Sequence, residues 1–301
     1  MATIRELKAE GRRRLAGAAT ASAGREAGLL LGAILGLGEA ELLARDERAV
    51  SANDRERFLA LIDRRGRGEP VAYLLGRKEF FGRELRIDPR VLIPRPETEE
   101  LVELVLALPL PADAHVLDIG AGSGAIALTL AAERPAWSVV ATDLSLAALA
   151  CARGNRARLA VQERVSLVHC NLAKALRLDH FALLVSNPPY VDPNDGALVS
   201  TDVRSYEPHL ALFAERRGLA VIEGLLDTAR GLATGAYVAF EFGFGQLDGL
   251  LELAARRPWI ELVEVRADAA GIPRDVVFKR GNAGRLEPTA MHLAPRSTKG
   301  A

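Results

Sequence analysis

The chain has 301 residues, enough for about two domains with an ample core. Hydrophobic residues make up 49% and charged residues 26%, and the formal net charge of +0 argues against a broad nucleic-acid footprint while allowing a local basic patch. No apolar run reaches membrane-spanning length, Leu29–Leu35 comes too late for a signal peptide, and Cys151 and Cys170 lack Cys-x-x-Cys spacing, so a reducing, cytoplasmic setting is expected.

Residues 1–82 read as a helical bundle. Ser51-Ala52-Asn53-Asp54 has capping-box spacing just before Phe58, Leu61 and Ile62, which share one helical face. Glycine breaks at Gly36-Leu37-Gly38 and Gly66-Arg67-Gly68 separate neighbouring helices. This portion is mildly basic, and Arg12-Arg13-Arg14 and Arg64-Arg65 suit an acidic or RNA-bearing partner as well as a solvated face. Residues 83–95 change character. Arg83 to Ile87 alternates, Asp88-Pro89-Arg90 makes a turn, and Val91-Leu92-Ile93 runs to Pro94, which together predict a hairpin linker.

The third segment, residues 96–280, opens with a helix after Pro96 and then reads strand, glycine loop, helix, strand. His115 to Ile119 is the strand, Gly120-Ala121-Gly122-Ser123-Gly124 the loop, and Ala125 to Ala132 the helix. Glycines there let the backbone turn tightly and let a ligand approach the main chain. The next strand, Ser138 to Thr142, ends in Asp143, where a carboxylate suits both hydroxyls of a ribose. Phe181 to Ser186 predicts a buried strand that delivers Asn187-Pro188-Pro189-Tyr190 to its carboxyl end. Two prolines stiffen that corner and remove two N–H donors, Asn187 adds an amide, and Tyr190 adds an aromatic face. Acceptors beside a ring suit a planar NH2 group.

Val191 to Phe213 is too long for a simple connection and reads as a substrate-facing insertion. Tyr237 to Phe242, Trp259 to Val265 and Asp275 to Phe278 predict further strands, with a helix over Gln246 to Arg256. Residues 281–301, with Pro288 and Pro295, read as a disordered tail.

A nicotinamide dinucleotide also fits the relaxed spacing Gly120-x-Gly122-x-x-Ala125. Asp118 just before the loop disfavours a pyrophosphate and suits an ammonium-bearing ligand, and the fourth strand brings Asn-Pro-Pro-Tyr rather than a hydride-transfer set. S-adenosylmethionine satisfies both points. No metal site is expected, since the histidines lack a partner pattern.

Gly68-Glu-Pro-Val-Ala-Tyr-Leu74, Glu79-Phe80-Phe81, Leu92-Ile93-Pro94-Arg95-Pro96-Glu97-Thr98-Glu99, Asp118–Ala127, Ser186–Tyr190 and Tyr206-Glu207-Pro208 occur in one order that resembles the release-factor glutamine methyltransferases, the HemK/PrmC family. The resemblance spans about residues 5–280 and is most specific in Ile-Pro-Arg-Pro and Asn-Pro-Pro-Tyr. It implies an α/β fold: a class I, Rossmann-like methyltransferase domain with a seven-stranded mixed sheet, behind an N-terminal all-α bundle that docks the release factor. It also implies methyl transfer from S-adenosylmethionine to the glutamine of the Gly-Gly-Gln loop of peptide chain release factors. By the same likeness Gly120, Ala121, Gly122, Ser123, Gly124 and Asp143 hold the cofactor, with Asn187 beside it. Asn187, Pro188, Pro189 and Tyr190 hold the glutamine, and Asn187, Pro188 and Tyr190 serve the transfer. Asn171 and Leu172 take the place near adenine where the family commonly carries an aspartate followed by an apolar residue, so no negative charge is offered there. A monomer is expected, with no DNA or membrane partner. Alternative readings are an N-methyltransferase for an exocyclic amine of a nucleic-acid base, and a non-catalytic cofactor-binding protein.

Overall fold

The structure is a computed structural model that describes residues 1–17, 20 and 22–281, the side chains of 196–198 excepted. The tail expected over 281–301 therefore lies outside the described residues, apart from Gly281. The chain divides into two compact units.

The first unit comprises Met1–Lys78, Ile87–Pro89 and Val199–Tyr206. It contains α1 (Ile4–Leu15), α2 (Ala23–Leu35), α3 (Glu39–Ala44), α4 (Ala52–Gly66) and α5 (Val71–Leu75). Ser51 caps α4 as its spacing predicts, its Oγ accepting from the Asp54 N–H at 3.1 Å. Ile4, Leu7, Leu30, Leu31, Phe58 and Ile62 recur at helical spacing and form the bundle core. Gly11 permits the close approach of these helices, because a Cβ there would lie 2.8 Å from Phe58 and 2.9 Å from Ala27.

Strands β1 (Arg77–Phe80) and β2 (Arg83–Arg86) form a two-stranded hairpin. This corrects the expected hairpin, which placed the turn at Asp88-Pro89-Arg90 and a strand at Val91–Ile93. Phe81 (φ 51°) and Gly82 (φ 70°) both take left-handed dihedrals, the geometry a two-residue turn needs to match strand twist. Ile93 is in no strand; its N–H is spent on the Glu207 carboxylate at 3.1 Å.

The second unit holds Glu79–Arg86, Arg90–Leu198 and the chain from Glu207 onward. After α6 (Pro96–Ala107) come β3 (His115–Ile119), α7 (Ala125–Glu133), β4 (Ser138–Asp143), α8 (Leu146–Arg158), β5 (Val165–His169) and β6 (Leu183–Ser186). Helix α9 (Thr201–Tyr206) belongs to the first unit. The rest is α10 (Ala220–Thr228), β7 (Tyr237–Glu241), α11 (Leu247–Ala255), β8 (Ile260–Ala267) and β9 (Pro273–Arg280). The seven strands lie in the order β5-β4-β3-β6-β7-β9-β8, parallel except for β9, which runs antiparallel to both neighbours. Helices cover both faces: Val116, Leu183 and Val185 pack with α6 and α7, while Leu117, Leu184 and Phe240 pack with α10 and α11. The strand order reverses between β3 and β6, so a crevice opens at their carboxyl ends.

Candidate active site

β3 and β6 are paired with Asp118 opposite Val185, so the segments that follow them emerge side by side. The glycine loop and the Asn-Pro-Pro-Tyr corner are thereby neighbours: a Cβ on Gly120 would lie 3.9 Å from the Asn187 carbonyl oxygen. Ser186 locks the junction, its Oγ donating to the Ile119 carbonyl at 2.7 Å. A cavity of about 280 Å³, just below the usual range for small-molecule sites, sits on this crevice.

Gly120, Ala121, Gly122, Ser123, Asp143, Asn171, Leu172, Asn187, Pro188 and Pro189 all line it. Gly120 (φ 85°) and Gly122 (φ 54°) take left-handed dihedrals, and no side chain within 4 Å would meet an added Cβ at either, so both leave main chain open to a ligand. Asp143 accepts from the Gly122 N–H at 2.9 Å and the Ser145 N–H at 2.7 Å, one per oxygen. Each oxygen keeps a further lone pair, which is what a ribose diol requires. Leu172 (φ 52°) is a branched residue held in the sparsely populated left-handed region at the cavity wall.

Two expected site residues stand outside the lining. Gly124 faces the interior: an added Cβ would meet Leu128 at 2.7 Å, so its φ of 86° opens α7 rather than the cavity. Tyr190 is half-buried and its hydroxyl donates to Glu241 at 2.8 Å. Asp118 is fully buried and does not face the cavity, which corrects its expected role beside an ammonium group. Strand alternation puts it on the face of Val116, under α7, where it accepts from the Ala127 N–H at 3.1 Å. Burial pushes its carboxyl up to about 7.

Sequence reading missed the groups behind the corner. Asn187 Nδ2 donates to Thr98 Oγ1 at 2.8 Å, and Thr98 Oγ1 donates to Glu241 Oε2 at 2.8 Å. Thr98 lies in the first turn of α6 and Glu241 ends β7, so nothing local in the sequence joins them. Burial raises the Glu241 carboxyl above its usual range, while the Thr98 and Tyr190 hydroxyls act the other way. It missed a second buried carboxylate as well. Glu207 holds the Arg95 guanidinium at 2.5 Å and so fixes a cation on the cavity wall.

Neither Asn187 Oδ1 nor the Pro188 carbonyl accepts a hydrogen bond among the described residues. The crevice thus presents two acceptors beside a glycine-lined pocket with Asp143 on its wall.

Comparisons with known proteins agree. Residues 6–76 match the PrmC N-terminal domain, and residues 101–203 match the methyltransferase small domain. The release factor glutamine methyltransferase of Koribacter versatilis is 40% identical over 255 residues, covering 84% of this chain and 89% of the relative. That of Nitratidesulfovibrio vulgaris is 36% identical over 282 residues, covering 93% and 96%. Solved structures share the fold: a methyltransferase from Pyrococcus furiosus matches with TM-score 0.51 at 19% identity over 77% of this chain and 100% of that one. The hMettl16 catalytic domain matches with TM-score 0.53 at 16% identity over 84% of this chain and 88% of that one. With relatives 36–40% identical over most of both chains, the chain belongs to the release factor glutamine methyltransferase family.

Proposed function

We propose that this protein methylates the side-chain amide nitrogen of the glutamine in the Gly-Gly-Gln loop of peptide chain release factors, using S-adenosylmethionine. The observation that carries the reading is the acceptor pair, Asn187 Oδ1 and the Pro188 carbonyl, held rigidly beside the Gly120–Ser123 loop and Asp143.

S-adenosylmethionine, when bound, supplies an electrophilic sulfonium methyl with a neutral leaving group. Gly120–Ser123 would receive it along the main chain, Asp143 at the ribose, and Asn171 and Leu172 at the adenine. An amide nitrogen is a poor nucleophile because its lone pair is delocalised into the carbonyl. Asn187 Oδ1 and the Pro188 carbonyl would accept its two N–H groups, aiming the nitrogen and stabilising the positive charge that develops there. Stiffness of the double proline keeps those acceptors in place without reorganisation. Tyr190, outside the cavity lining, would steady the corner through its hydroxyl, anchored at Glu241. The N-terminal bundle is assigned the docking of the release factor, consistent with the exposed Arg12 and Arg13 on α1.

Incubation with labelled cofactor and a release factor, followed by peptide mass spectrometry, should place one methyl on the loop glutamine, and its Gln→Ala variant should stay unmarked. Asn187→Ala should lower turnover by roughly 10²- to 10³-fold, with cofactor affinity within a few-fold of wild type. Unchanged turnover in that variant would remove Asn187 from the reaction.

A further inference from the structure

We propose that Glu241 and Thr98 are positioning residues, which dictate that the Asn187 carboxamide presents its oxygen, and not its NH2, to the substrate. The inference rests on the reading of Asn187 as an acceptor for the glutamine amide.

The two ends of a carboxamide have nearly the same shape and differ only in what they donate or accept. With Nδ2 outward, Asn187 would set a donor against the donors of the incoming NH2 group. Something must fix the orientation, and the hydrogen-bond chain does so. While Glu241 is ionised, both of its oxygens can only accept. Glu241 takes the Thr98 hydroxyl on Oε2 and the Tyr190 hydroxyl on Oε1, both at 2.8 Å. A threonine hydroxyl has one proton, and here it is committed to Glu241. Toward Asn187, therefore, Thr98 can only accept, and the contact at 2.8 Å must come from Nδ2. Oδ1 is then turned the other way, on a residue that lines the cavity. The polarity of the whole chain originates at Glu241.

Burial makes that polarity stringent. Thr98 is 4% exposed and Glu241 2%, so bulk water does not compete for either group. Glu241 also serves both ends of the tetrapeptide, Asn187 through Thr98 and Tyr190 directly. A carboxylate buried at the end of β7 is costly, and an apolar replacement would normally be tolerated as well or better. Directing two hydroxyl protons inward is something neither an apolar side chain nor an amide does at both oxygens.

The test combines Thr98→Val, Thr98→Ser and Asn187→Ala in the full-length protein. Thr98→Val keeps the shape and removes the hydroxyl; turnover on the release factor should fall at least tenfold with the cofactor dissociation constant within about twofold. Thr98→Ser should restore most of the rate. In single-turnover measurements the Thr98→Val loss should vanish in the Asn187→Ala background, because Thr98 acts through Asn187. A loss that persists undiminished there would show a merely structural role and overturn the proposal. Independently, the side-chain amide proton signals missing from Asn187→Ala identify Asn187 by NMR. Their hydrogen exchange should quicken at least tenfold in Thr98→Val and stay slow in Thr98→Ser. Unchanged exchange in Thr98→Val overturns the inference. Should wild-type protein leave the loop glutamine unmethylated, it is the functional reading that fails, and the exchange measurement still decides the hydrogen-bond chain.

Discussion

Asp275 stands directly opposite Glu241 across the β7–β9 pair and opposite Arg266 on β8, so two carboxyls and a guanidinium share one row of the sheet. Both oxygens of Asp275 are buried without a hydrogen-bond partner among the described residues. Burial first, then repulsion from Glu241 and Glu100, pushes its carboxyl up to about 8 against the attraction of Arg266 and Arg274. The folded protein therefore keeps a proton that the unfolded chain releases near the ordinary value of 3.8. Stability is lost as pH rises from about 4 through about 8, and the loss is complete above that. Asp275→Asn cannot ionise, so its unfolding free energy should exceed that of wild type by a margin that widens between pH 5 and pH 8, on the order of a few kcal/mol. Calorimetric scans across that range check this, and parallel pH curves would contradict it. At this scale the sequence displayed contiguous motifs, Gly120–Ser123, Asp143 and Asn187–Pro189, whose residues all line the cavity. It concealed Thr98, Glu241 and Glu207, because a hydrogen bond between residues 143 positions apart leaves no local pattern.

Loops as well as strands hold the corner in place. Gln246 bridges two of them, its Nε2 donating to the Tyr190 carbonyl at 2.7 Å and its Oε1 accepting from the Gly243 N–H at 2.8 Å. Gly218 (φ 79°) packs against the same carbonyl, and an added Cβ would stand 1.9 Å from that oxygen. Gly218→Ala should consequently displace Tyr190 and lower turnover by roughly 10²-fold, the scale of a 1 Å misplacement. Steady-state kinetics beside an unfolding scan would show whether the rate falls far more than stability. Strands and helices were read well where hydrophobic runs or capping residues marked them, as for β3, β4, β6 and α4. The hairpin was misplaced because its turn uses Phe81 where asparagine or glycine would have announced a left-handed residue. Asp118 was misassigned because adjacency to a loop in sequence says nothing about which face of the sheet a side chain takes.

For the whole molecule, zero net charge conceals an uneven distribution. Arg12 and Arg13 are exposed on α1 beside Arg14, which is paired with Glu10 and Asp63. Reversing both, Arg12→Glu with Arg13→Glu, should raise KM for an intact release factor several-fold while leaving a short Gly-Gly-Gln peptide unaffected. Added salt should narrow the difference, as screening does for exposed charges. The overall plan, a helical unit preceding a doubly wound sheet, followed from the change of periodicity after residue 96.

Helix α9 gives that plan a consequence for dissection. Its Asp202 receives Arg65 at 2.7 Å, and Tyr206 donates to the Arg67 carbonyl at 3.0 Å, although these partners lie more than a hundred positions upstream. Removing the first 78 residues would strip α9 of both anchors and strand a carboxylate within the remaining polypeptide. A shortened protein that loses activity would then report a damaged scaffold as readily as a missing dock, and single-site charge reversals discriminate where scissors do not.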